Sequence, residues 1–143
     1  MLKAEPGVCC RRRGFLGVVL GCSLLWVLPA LAGSYLNRAA VLLAGAELEA
    51  KVLQRRLYDK ELARVTHRLA LTRVAAGNEM QVPVEVKNAH PHLLLSLESF
   101  ERAADGAARG DHEDFLVALA RAREERRIFV AVLKEAGWDL PKT

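Results

Sequence analysis

From Asn37 to Ala76 the chain contains no proline and a single glycine, Gly45. Ala, Leu, Glu, Arg and Lys dominate the stretch, and these residues lose little side-chain freedom in a helix. Leu48, Val52, Leu62, Val65 and Leu69 fall within about 140° of one another at helical spacing, which predicts one apolar face. Leu53, Leu57 and Leu71 fall on the far side, so the expected element is one long helix with neighbours on two flanks. Gly45 offers the one place for a bend, and Gly77-Asn78 supplies the C-terminal stop.

The rest of the chain after this stretch also reads as helical. Residues 78–89 alternate Val82, Val84 and Val86 with polar residues, but Pro83 and the lack of a partner strand reduce the run to a connector lying along the bundle. A second helix starts near Asn88 or His90, with Pro91 in its first turn and Leu93, Leu97, Phe100, Ala104 and Ala107 on one stripe. It ends at Arg109-Gly110. Asp111 caps a third helix that runs to Ala136 with Phe115, Leu119, Ala122, Phe129 and Leu133 inward. So short a turn makes these two helices antiparallel neighbours. The Ala-Ala-Arg-Gly-Asp turn is similar to that of a tetratricopeptide hairpin, but such arrays need about three stacked units and a second copy is absent. With 143 residues, of which 52% are hydrophobic and 6% aromatic, the chain suits one ordered domain. The expectation is an all-α fold: a small bundle of about three helices, one long and then an antiparallel hairpin, over residues 33–143.

Residues 1–32 differ in kind and predict an N-terminal signal peptide or an uncleaved membrane anchor. Lys3, Arg11, Arg12 and Arg13 precede residues 14–32, which carry no charge and would reach roughly 28 Å as a helix, enough to cross a bilayer. Ala30-Leu31-Ala32 then gives the small-x-small pattern of a signal-peptidase site, with Pro29 favouring an extended approach to it. Arg12, Arg13, Phe15 and Leu16 resemble the bacterial twin-arginine export signature, which implies export of a folded protein; Arg11 and Gly17 depart from that pattern. Val19-Leu20-Gly21-Cys22 resembles a lipoprotein box, but a further apolar run follows Cys22 where a polar tether is needed. Without cleavage, residues 14–36 would remain as an anchor with the arginines on the cytoplasmic side. Cys9, Cys10 and Cys22 all lie in this segment, so the body can form neither a disulfide nor a thiolate metal site.

Charge argues against a nucleic-acid partner. The net +4 comes mostly from the leader, and residues 33–143 hold 17 basic against 16 acidic residues. Catalytic motifs are missing: there is no Glu-x-x-His, Cys-x-x-Cys-His, His-Glu-x-x-His or glycine-rich phosphate loop. Ser34, Ser96 and Ser99 stand in no nucleophile setting. Glu98 and Glu101, and the run Glu124 to Arg127, read as solvated faces. Arg126 falls on the inward stripe, where it must snorkel or meet a carboxylate from another helix. His90 and His92 could share a metal or haem if His67 or His112 came near. Trp138 either closes the end of the bundle or anchors a partner. The leading expectation is a non-enzymatic envelope protein without a cofactor, in the periplasm or on the inner membrane facing it. It would contact the membrane through its N-terminal segment and bind another protein. The alternative is a periplasmic metal- or haem-binding bundle using His90 and His92.

Overall fold

The computed structural model of the protein describes residues 27–142, with side chains from residue 33 onward. Arg12, Arg13, Phe15, Leu16 and the three cysteines therefore lie outside the described residues. Four helices follow in order: α1 Val27–Arg55, α2 Lys60–Asn78, α3 His90–Arg109 and α4 His112–Glu135. A single 3-10 turn, Val84–Val86, lies between α2 and α3. The fold is all-α, and the described residues include no strand.

The long helix expected over residues 37–76 is divided in two. Arg56 N donates to Leu53 O and Asp59 N to Arg56 O, both at 2.9 Å, which reverses the chain. Asp59 then caps α2, its Oδ1 accepting from Leu62 N at 3.0 Å. Good helix formers permit a continuous helix without enforcing one. A capping Asp at the right place lets the chain fold back, and both halves can then pack on α3.

The buried faces of these two helices also differ from the expected ones. Leu48 is 64% exposed, Val65 51%, Leu69 44% and Val52 40%. The buried residues are instead mostly small: Ala39, Ala46 and Ala50 beside Leu36, Leu43 and Leu53 on α1, and Ala63, Thr66, Ala70 and Gly77 on α2. Small side chains let helix backbones come close, so packing selects the alanine face over the one with larger aliphatic residues. At Gly77 the approach is tight: an added Cβ would lie 2.9 Å from Leu97 Cδ1.

The α3–α4 hairpin matches expectation. Leu93, Leu97, Phe100, Ala104 and Ala107 of α3, and Phe115, Leu119, Ala122, Phe129 and Leu133 of α4, are all buried. Gly110 takes the left-handed conformation at φ +83°, and Asp111 N donates to Gly106 O at 2.8 Å. Asp111 Oδ1 caps α4 by accepting from Asp114 N at 2.9 Å. Val86 is buried and Val82 half-buried against the core, while Val84 points outward, so the connector does lie along the bundle.

At Gly106 the backbone of α3 lies close against the start of α4. A Cβ there would sit 3.0 Å from Phe115 N and 3.3 Å from Asp111 O, backbone atoms that cannot swing aside. Gly106→Ala is therefore expected to destabilise the protein by about 1–3 kcal/mol, read as a lower urea midpoint. Gly33→Ala, with nothing within 4 Å of the new methyl, is the matched control and should not destabilise.

Candidate functional site

The two histidines proposed as ligands are separated by the helix that carries them. Residues two apart on a helix point roughly 200° from each other. His90 Nδ1 lies 3.1 Å from the Tyr35 hydroxyl on α1, with the rings edge to face. His92 Nδ1 lies 2.9 Å from Glu125 Oε2 on α4. The other two histidines are engaged elsewhere: His67 Nε2 is 2.6 Å from Glu101 Oε1, and His112 stands edge-on to Tyr58. Among the described residues no group of three or more His, Cys, Asp or Glu could hold a metal ion.

Trp138 folds back on the bundle. Its backbone N–H donates to Leu133 O at 2.9 Å, Gly137 is left-handed, and the side chain packs half-buried against the core. Ala30 and Ala32 fall inside α1, which is helical from Val27 onward. The packed core begins directly after them, with Tyr35 at 2% and Leu36 at 4% exposure. Among the described residues no helix is long and apolar enough to cross a membrane.

Cross-helix polar pairs line the edges of the bundle. Arg126 lies 3.9 Å from Glu47 of α1, and Arg123 donates to the same carboxylate at 3.0 Å, so the inward arginine meets a carboxylate from another helix. Arg73 of α2 pairs with Glu49 of α1. Glu101, expected on a solvated face, holds His67, and Asp105 lies 4.0 Å from the same ring. Asp105 also accepts from Arg109 at 2.9 Å. Arg109 in turn reaches Asp114, and that hydrogen bond holds the Asp114 carboxyl below its usual range. The pairs of Glu47, Glu49 and His67 join residues at least 24 apart in sequence, so spacing alone gave no signal for them.

One surface remains without an internal partner. On α1, Val41, Leu48 and Val52 recur at helical spacing on the side away from the core; on α2, Val65 and Leu69 do the same. The two rows flank one seam. Val41 and Ala76 line the same groove of about 510 Å³, and Arg73 crosses from α2 to Glu49 beside Gly45. From their fractional exposures, the five aliphatic side chains present on the order of 400 Å², the size at which an apolar patch on a monomer is often functional. Arg38, Lys51, Arg55 and Arg68 stand exposed around it. Leu48, Val52, Val65 and Leu69 belong to the apolar face expected from helical spacing, Val41 does not, and packing leaves all five facing outward. Known protein families, characterised proteins and solved structures were compared with the chain, and none matches it.

The Tyr35–His90 contact has a pH consequence. Burial pushes the Tyr35 hydroxyl well above its ordinary pKa, so it stays protonated and donates to a bare His90 Nδ1 when that ring is neutral. Burial also lowers the His90 pKa from its ordinary 6.5, because charging the ring there costs solvation. The unfolded chain then binds the proton more readily than the folded one. Stability from this group is full above pH 6.5 and falls as pH drops through it. Between about pH 7.5 and about pH 5.5, the wild type is expected to lose more of its melting temperature than His90→Gln, measured by circular dichroism.

Proposed function

We propose that the protein is a non-catalytic interaction module of the bacterial cell envelope, exported or anchored by residues 1–32. The observation that carries the reading is the outer aliphatic strip on α1 and α2. Ser96 and the Arg73–Glu49 pair find their partners within the bundle, whereas Val41, Leu48, Val52, Val65 and Leu69 are left facing out. A strip of this kind on a small bundle supports docking of another protein. The basic n-region, apolar run and Ala30-Leu31-Ala32 support the compartment.

Two measurements test the reading. On fractionation of its host, the wild type is expected in the periplasm or inner membrane and in an assembly larger than the monomer. Leu48→Asp/Leu69→Asp changes two exposed positions, so it should keep its melting temperature and run as the monomer. A cytosolic wild type would overturn the compartment, and a double variant still in the assembly would overturn the role of the strip.

The start of the core also orders the events of export. A peptidase needs an extended backbone, and cutting after Ala32 leaves Gly33 and Ser34 before the buried Tyr35. Cleavage should therefore precede the packing of Tyr35, an order that argues against the folded export implied by the twin-arginine resemblance. Precursor held in urea and diluted into signal peptidase in detergent is expected to be cut, while folded precursor is expected to resist. Equal cleavage of both would refute this order.

A further inference from the structure

We propose that the occupant of the α1–α2 strip is an acidic amphipathic helix of another protein, laid along the seam; this rests on the interaction-module reading above. The strip is long and narrow. Val41 to Val52 spans about 17 Å along α1, the length of roughly three helical turns. Antiparallel α1 and α2 give it two parallel walls, a shape that suits a helix with apolar anchors at i, i+3 or i+4, and i+7.

Charge selects the partner. Among the described residues Arg38, Arg55 and Arg68 have no ion-pair partner; of the nearby acids, Glu49 and Glu61 are tied to Arg73 and Arg64, and Glu79 alone stands exposed beside Arg38 at one end of the groove. The rim is thus positive, and a helix with acidic flanks complements it. A second copy of this chain fits poorly, because a two-fold axis across the middle of the strip would bring Arg55 of one copy toward Arg38 of the other, like charge against like.

The test uses the full chain in its host, with a photo-reactive residue placed at Leu48 or at Leu69, and at Leu116 on α4 as a control. Crosslinked peptides are identified by mass spectrometry. Leu48 and Leu69 are expected to label the same segment, one with helical apolar spacing and net negative charge, while Leu116 does not label it. Arg55→Glu/Arg68→Glu should cut the yield at Leu48 at least about tenfold with melting unchanged, and raised salt should also lower the yield. Labelling of a basic or non-helical segment, or of a second copy, overturns the acidic helix but leaves a protein-binding strip standing. Labelling of lipid alone, or of nothing, overturns both. An unchanged yield from the charge-reversed variant removes the electrostatic selection and with it the inference.

Discussion

All three other helices pack on α3, and they can do so because α3 is built from small residues where they come closest. Ala103, Ala104, Ala107 and Gly106 are buried along it, and Leu93, Leu97 and Phe100 supply the volume between. Two serines accompany them into the interior without leaving an orphaned hydroxyl. Ser96 Oγ donates to Ala122 O at 2.9 Å, and Ser99 Oγ turns back to Leu95 O at 2.7 Å. Satisfied in this way, a helix with polar side chains can be enclosed at little cost. Phe115 and Phe129 of α4, both at 0% exposure, close the opposite side.

The enclosure of α3 decides what the other helices show to solvent. α1 and α2 press their alanine faces inward, and each helix has a limited circumference. The larger aliphatic residues between those faces are turned outward, where they meet along the α1–α2 seam. Polar pairs at the edges then engage several of the acids: Glu47 with Arg123, Glu49 with Arg73, Glu101 with His67 and Glu125 with His92. Pairs this exposed add little stability, but they fix which helix lies against which. What remains on the outer face of α1 and α2 is aliphatic at the centre and basic at the rim.

α1 links this surface to the proposed leader. Among the described residues it runs from Val27, inside the apolar run, and reaches the buried Tyr35 within three turns. The body therefore has almost no spacer between its core and the expected processing site. Tyr35 packs against His90 at the start of α3, so the first packed residue of the body is tied to the central helix.

The all-α class, the α3–α4 hairpin with its Gly110 stop and Asp111 cap, and both of its buried stripes could be read from the sequence. Each is set by residues within a few turns of one another, through helical periodicity, capping and the freedom of glycine at positive φ. The proposed leader rests on the same kind of local signal, with charge, apolar length and small residues in one short run. The break at Leu57–Asp59, the inward choice of alanine over Leu48 and Leu69, and the pairing of His67 with Glu101 and of Arg126 with Glu47 were decided by tertiary structure alone. Periodicity marks a face as apolar but cannot rank two such faces. That ranking comes from how closely each lets its helix approach α3, and it is what placed the candidate surface outside the core.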